Sequence, residues 1–566
     1  MNTIIVLDVM VVGRYYLFSY LRRCGVVQCS VFAMDLKVVI IGVVLGIAAA
    51  ARRFPAGFKL GSATAAYQVE GGWNASDKGE SIWDRFVHSR PEVISDRSNG
   101  DVACDSYHRW RDDIQMLVDL NMDFYRFSIA WPRVLPTGFP NHVSKDGVRY
   151  YSDLIDGLLE KGIEPLVTLF HWDLPQTLQD LGGWTNPQIA DWFTDYARVV
   201  FELFGSRVNT WLTINEPQSI CDGGYTGVLA PGLESEQRGA YLCTKHVMLA
   251  HAKAYRLYEK EFKPKYVKGQ VSLTNHMVWY EPATDQDAEL TELVKDYAIG
   301  RYSHPIFSAA GGWPPALERH IAQKSREEGE PRSRLPPFTQ EEIELIRGSY
   351  DFMGLNHYTS KTVRAVAPGE EIGTTVFGAF EELGAKLGAR PEWPTATSSW
   401  LSINPEGFRS LLSYIKQQYG NVKIFIMENG VSGSGEELDD QSRVDYYRNY
   451  LAQLLLAMEQ DGVDVVGYTA WSLMDNFEWM DGYQSRFGLY HVDFSSPMRT
   501  RTARRSARYM AAVARTKDID AQYHFDKMAD EGQHTVQFCV RLSLPAPLKT
   551  QPRLGHEFNI SFHETN

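Results

Sequence analysis

Residues 189–216 read IADWFTDYARVVFELFGSRVNTWLTINE. A helical pattern from Ile189 gives way to the apolar run TWLTIN from Thr210, so one amphipathic helix delivers the chain into one short strand. The alternation continues outward in both directions. Upstream lie the strand-like runs FKLGSATA from Phe58, DFYRFSI from Asp123 and PLVTLF from Pro165. Downstream lie GQVSLTN from Gly269, DFMGLN from Asp351, KIFIMEN from Lys423 and VVGYTAWSL from Val465. Helical patterns separate them, for example YHRWRDDIQMLVDL from Tyr107 and SRVDYYRNYLAQLLLAM from Ser442. Strands alternating with helices predict βαβ units and a parallel sheet. Eight such repeats fit a single (β/α)8 TIM barrel better than an open doubly wound sheet. No GxGxxG follows a strand and no P-loop motif occurs, so a dinucleotide or phosphate cradle has no support.

This pattern fills residues 54–515, and the ends read differently. From Met34 the chain runs MDLKVVIIGVVLGIAAAARRF. An apolar core from Val38 to Ile47 and the small residues Ala48–Ala51 fit a secretory signal peptide over 34–51. The stretch is short for a membrane span, which needs about 20 apolar residues, so a membrane anchor is the weaker reading. Residues 1–33 lie upstream of that pattern and are expected to be an extension or artefact, with Met34 the true start. Residues 516–566, with Pro545, Pro547 and Pro552, lose the alternation and read as a peripheral or disordered tail. Secretion would make Asn74 and Asn559 glycosylation acceptors. Six cysteines form no CxxC pair, and a pairing of Cys221 with Cys243 is left open by their spacing. The net charge of −13 argues against nucleic acid or an anionic membrane surface as partner and suits a neutral ligand. Oligomeric state is not encoded in any feature of the sequence.

In a barrel of this kind the active site lies at the C-terminal ends of the strands. Those ends carry Gln68 and Glu70, then His171, Trp172 and Asp173, then Asn215 and Glu216. Later strands add Asn356, His357 and Tyr358, then Glu428 and Asn429, and finally Trp471, Asp475, Asn476, Glu478 and Trp479. His171, Asp173 and His357 have poor spacing for a metal, so no metal and no cofactor is expected. Two strand-end carboxyl groups without a metal fit acetal hydrolysis, which needs one protonated acid and one ionised nucleophile. Taken singly, each glutamate reads equally well as a salt bridge or cap.

The segments TINEP (213–217) and MENG (427–430) resemble the two glutamate motifs of glycoside hydrolase family 1. ATAAYQVEG from Ala63, DKGESIWD from Asp77, YRFSIAWPR from Tyr125 and HWDLPQ from His171 are similar to further motifs of that family. So are NHYT from Asn356, WSLMDNFEW from Trp471 and RFGLYHVDF from Arg486, all in family order. The resemblance implies a retaining β-glycosidase with Glu216 as acid/base and Glu428 as nucleophile, their carboxyl groups about 5–5.5 Å apart. It implies that Tyr358 bonds the nucleophile and that Asn215 contacts the sugar 2-hydroxyl. It gives Gln68, His171, Glu478 and Trp479 the remaining hydroxyls, Trp471 the stacking floor and Trp400 the aglycone side. Trp172 reads equally as core packing. A carboxylate at Glu478 would repel a sugar 6-phosphate.

Met427, Ile214 and His357 depart from the usual family residues, and none removes a catalytic group. No disulfide-bearing loop is evident after Glu216, which points to an animal-type member. The expectation is a secreted β-glucosidase that also accepts galactosides or fucosides. Thioglucoside cleavage, glycosyl transfer and a non-catalytic sugar-binding role are the rivals.

Overall fold

The computed structural model describes residues 52–372, 379–435 and 437–524. The upstream extension, the leader over 34–51, the tail beyond 524 and Asn559 lie outside the described residues. Among the described residues fourteen strands are numbered in chain order. Eight of them close a barrel: β1 (Lys59–Ala63), β2 (Phe124–Ser128), β3 (Glu164–Phe170), β4 (Thr210–Asn215), β5 (Gln270–His276), β7 (Met353–Asn356), β11 (Ile424–Asn429) and β12 (Val465–Trp471). Each is one of the eight apolar runs read from the sequence, and every neighbouring pair is parallel. Helices such as Ser106–Asp119, Lys145–Glu160, Ile189–Phe204, Glu236–Leu257, Pro405–Tyr419 and Gln441–Glu459 follow the strands and cover the outside.

Period-two alternation sends every second strand residue inward. Phe124, Leu166, Leu212, Phe352, Phe425 and Met427 form a separate apolar cluster, a plug of side chains inside the barrel rather than a pore. Arg126 lies two residues beyond Phe124 on β2, one layer above that plug, and is 1% exposed.

Two strand ends are irregular. The β4–β5 register shifts between Leu212 and Asn215. The β7–β11 register shifts between Ile426 and Glu428. Such bulges re-aim side chains at sheet ends and cluster near active sites. Glu216, just past β4, has φ +46°, a left-handed conformation that a non-glycine residue adopts only where its surroundings hold it. Its N–H donates to the Thr274 carbonyl at 2.8 Å.

A second sheet orders β6 (Trp279–Pro282), β8 (Ser360–Ala365), β10 (Ala385–Gly388) and β9 (Ala379–Phe380). Its strands β6 and β8 leave directly from the C-terminal ends of β5 and β7, so it stands at the barrel mouth. Strands β13 (Tyr490–Val492) and β14 (Arg501–Ala503) form a hairpin-like pair.

The ordered chain continues past residue 515. The Phe54 N–H donates to the Lys517 carbonyl at 2.9 Å, and Ile519 is buried. Residues 516–521 thus fasten to the start of the barrel instead of forming part of a loose tail. A second correction concerns the loop after Glu216: Cys221 and Cys243 form a disulfide. It joins the π-helical turn Ser219–Gly223 to the helix Glu236–Leu257. The intervening chain doubles back, and that path is invisible to cysteine spacing. With a disulfide present after Glu216, its supposed absence no longer marks an animal-type member.

Candidate active site

The strand ends open into a cavity of about 550 Å³. It is lined by nine of the ten residues singled out from the sequence: His171, Asn215, Glu216, Tyr358, Trp400, Glu428, Trp471, Glu478 and Trp479. Trp172 also lines it.

Glu428, near the end of β11, is 3% exposed. Arg126 donates from Nη1 to Glu428 Oε1, and Tyr358 donates its hydroxyl to Oε2 at 2.6 Å. Arg126 is fixed by its other donors, with Nη2 2.6 Å from Asn215 Oδ1, Nη1 3.1 Å from the Met427 carbonyl and Nε 3.3 Å from Thr168 Oγ1. Glu216 is 6% exposed, and its hydrogen-bond partners among the described residues are neutral. Asn356 Nδ2 donates to its Oε1 at 2.7 Å and Ser219 Oγ to its Oε2 at 2.9 Å. Asn356 Nδ2 also reaches Asn215 Oδ1 at 3.2 Å. A continuous chain, Glu428–Arg126–Asn215–Asn356–Glu216, therefore connects the two carboxyl groups.

Burial raises both carboxyls above their ordinary range. At Glu428 the charge of Arg126 opposes that rise and the charge of Glu216 adds to it. At Glu216 the bonds from Asn356 and Ser219 oppose it. Two like charges in one buried site retain a proton between them. Glu428, pushed up to about 7, is the one of the two with a guanidinium bonded to it, a partner that favours its ionised form.

One wall is polar and aromatic. Asn215 Nδ2 is 2.9 Å from His171 Nε2. An amide nitrogen can only donate, so His171 Nε2 accepts and its proton sits on Nδ1. That Nδ1 is buried and has no hydrogen-bond partner among the described residues. Burial, reinforced by the Arg126 charge, holds the imidazole neutral by lowering its pKa well below the ordinary value. The ring is therefore a neutral imidazole whose Nε2 accepts from Asn215. Trp471 and Trp479 each lie 6.0 Å from the His171 ring, and Trp172 packs 4.4 Å from Trp479. Glu478 is pushed up strongly by burial, then by Asp481 and Glu428.

Gln68 is the one predicted contact that does not line the cavity. Its Nε2 donates to Asn476 Oδ1 and the Phe477 carbonyl, both at 2.9 Å, and to Glu478 Oε2 at 3.4 Å. It stands behind Glu478 and orients the segment that carries it. Its Oε1 is buried without a partner among the described residues.

Several strand-end residues are structural. Glu70 pairs with Arg133 at 2.7 Å and accepts from the Tyr151 hydroxyl at 2.6 Å. Asp475 is bonded by Arg504 through both carboxylate oxygens. His357 Nδ1 is 2.8 Å from the Met277 carbonyl, and its ring stacks on Phe408.

Sequence reasoning gave no role to Arg126, Ser219, His276, Lys361 or Asn356. Arg126 carried a signal, as a lone cation inside an apolar strand run. Ser219 and Lys361 carried none, because their positions depend on the turn after Glu216 and on the mouth sheet. Among the described residues no cluster of three or more His, Cys, Asp or Glu side chains is arranged to hold a metal.

The pattern of the family described as Glycosyl hydrolase family 1 matches residues 50–519. The chain belongs to glycosyl hydrolase family 1. It is 45% identical over 478 residues to Myrosinase 1 of Brevicoryne brassicae, covering 82% of this chain and 99% of that protein. It is 40% identical to the human cytosolic beta-glucosidase, over 83% of this chain and 99% of the relative. It is 41% identical to human lactase/phlorizin hydrolase, where it spans 24% of the longer protein. Among solved structures, an aphid myrosinase superposes with a TM-score of 0.78 at 44% identity, covering 82% of this chain and 100% of that one. A rice beta-glucosidase in a covalent complex with Glc superposes with a TM-score of 0.75 at 38% identity, over 81% and 98%. This family 1 chain is a glycosyl hydrolase.

Proposed function

We propose that the protein is a retaining β-glucosidase in which Glu428 is the nucleophile and Glu216 the acid/base. One observation carries this reading: two buried carboxyls share a cavity, and only one of them is bonded to a guanidinium. The ionised Glu428 attacks the anomeric carbon while Glu216 passes its proton to the departing glycosidic oxygen, leaving a glycosyl ester and the free aglycone. Glu216, now ionised, takes a proton from water, whose oxygen attacks the same carbon and releases Glu428. Asn215, between Arg126 and His171, is placed to strengthen its hold on the 2-hydroxyl as charge develops.

The polar wall of His171, Glu478, Trp471 and Trp479 receives the sugar. The wall of Trp400, Leu387, Leu229 and Val228 is apolar and receives the aglycone. Glucosides are the preferred class, with galactosides and fucosides accepted, and the relatives named beta-glucosidase support that choice. The similarity to Myrosinase 1 supports thioglucosides as the second reading. Secretion fits the signal-like leader, the disulfide, and the exposed Asn74 in its turn.

The test is hydrolysis of a 4-nitrophenyl β-glucoside followed by proton NMR of the first sugar released. β-Glucose appearing before the α anomer is expected. An α product, or no turnover of any glucoside, galactoside, fucoside or thioglucoside by folded protein, overturns the reading.

A further inference from the structure

Lys361 is the second residue of β8, three residues past Tyr358, and its side chain lines the cavity. It is 7% exposed. Among the described residues no hydrogen bond or ion pair reaches its ammonium group. Lys78 and Lys295, whose side chains are also largely buried, each pair with a carboxylate, Asp84 and Glu292 respectively. Burying a charge without a partner is costly, and cations held this way are normally paired. Burial lowers the pKa of Lys361, and no neighbouring charge offsets that. The nearby acids are committed elsewhere: Glu428 to Arg126 and Tyr358, Glu216 to Asn356 and Ser219, and Asp481 to the hydroxyls of Ser398 and Ser485.

The surroundings specify what would complete the site. In the antiparallel pairing of β8 with β10, Leu387 stands opposite Val363, on the same face as Lys361. Trp400 lies 5.8 Å from the Tyr358 ring. Lys361 thus lines the cavity together with the apolar or aromatic side chains Leu387, Leu229, Val228 and Trp400, on the side away from the proposed sugar wall.

Resting on the glucosidase reading above, we infer that Lys361 is an anion-binding side chain of the leaving-group pocket, selecting β-glucosides whose aglycone is an apolar or aromatic body bearing one oxyanion. The aromatic part packs on Trp400 and Leu387, and the oxyanion supplies the counter-charge that the protein itself withholds. A sulfonate or sulfate and a carboxylate share this chemistry, and the probes separate them.

The experiment compares 4-sulfophenyl, 4-carboxyphenyl and neutral 4-carbamoylphenyl β-glucosides in the parent and in Lys361→Met and Lys361→Arg. The readout is the ratio of kcat/KM for each anionic substrate to that for the neutral one. Lys361→Met should lower this ratio roughly 10- to 100-fold, the worth of a hydrogen bond to a charged group, and Lys361→Arg should restore most of it. A larger fall for the sulfonate than for the carboxylate identifies the preferred oxyanion. A ratio unchanged in Lys361→Met overturns the inference, with thermal unfolding confirming that the variant is folded. Calorimetric titration with 4-hydroxybenzenesulfonate alone separates this from the catalytic reading. If no glucoside is hydrolysed but the parent binds that anion at least tenfold more tightly than Lys361→Met, the pocket assignment stands and the glucosidase reading falls. Equal binding rejects the assignment whatever the turnover.

Discussion

Glu428 and Glu216 are the same side chain in the same cavity, both nearly sealed from water, yet they differ in what bonds them. Glu428 faces a guanidinium and a phenol. Glu216 faces an amide and an alcohol. Burial alone would push both carboxyls the same way. In the proposed mechanism this difference in partners makes Glu428 the ionised group and Glu216 the protonated one, the separation that acid/base work by paired carboxylates requires. On that proposal the division of labour originates on β2, where a barrel strand sends an arginine up through its own core to bond one carboxylate and not the other.

The largest expected effect is on Glu428→Gln, because a neutral amide is a poor nucleophile. Turnover of every glucoside should fall on the order of 10⁴-fold or more. Glu216→Gln should behave differently by substrate. Loss of proton transfer costs roughly 10²–10⁴-fold on alkyl glucosides, and far less on 2,4-dinitrophenyl glucoside, whose leaving group needs no proton. Equal losses on both substrates would break the contrast. Next in size is Arg126→Met, with a loss on the order of 10²-fold. Its pH profile is the sharper readout. Activity needs Glu428 ionised, and Arg126 favours that form, so its removal must move the acid limb of kcat/KM to higher pH. An acid limb that stays in place would mean the guanidinium does not set the nucleophile's charge. Arg126→Lys should return part of the shift.

The same contrast marks where the sequence was legible. All eight barrel strands could be read from apolar runs, because parallel barrel strands are buried on both faces and need no alternation. Glu216 and Glu428 stood out because each ends such a run beside a turn signal. Arg126 was passed over, although a single cation in DFYRFSI can be buried only if a carboxylate answers it across the barrel, and Glu428 is 302 residues away in sequence. Ser219, Lys361 and the Cys221–Cys243 pair depend on excursions of the chain outside the repeating unit, where no periodicity constrains register. Gln68 illustrates the converse. Its position at a strand end suggested contact with ligand, and the fold adds what the sequence did not show, an amide that donates to Asn476, the Phe477 carbonyl and Glu478.

Smaller effects test how finely the partners tune each carboxyl. Tyr358→Phe removes one hydrogen bond to an ionised group, a loss of roughly tenfold in kcat/KM. Because that bond also favours the ionised form, the acid limb should again move up, by less than in Arg126→Met. An unmoved limb would limit Tyr358 to positioning the nucleophile.

The last effect is a shift of a few degrees in the melting of the fold, and here the two glutamates should move in opposite directions. The pKa of Glu216 is raised in the folded protein, chiefly by burial. As pH rises above the ordinary carboxyl range, near 4.3, the unfolded chain releases this proton while the folded chain keeps it, so ionisation increasingly favours unfolding. Glu216→Gln removes that liability and leaves an acceptor for Asn356 and a donor for Ser219. Its Tm should rise by about 1–2 °C at pH 7.5, and the gain should vanish near pH 4, where both states of the parent are protonated. Glu428 is raised as well, to about 7, but Glu428→Gln also strands Arg126 in the barrel without a counter-charge, at a cost of about 3–5 kcal/mol that outweighs the relief and in a domain of this size lowers Tm by about 3–5 °C. If both variants gained stability equally, the guanidinium would not be holding a charge on Glu428, and the assignment of ionised and protonated partners would have to be exchanged or abandoned.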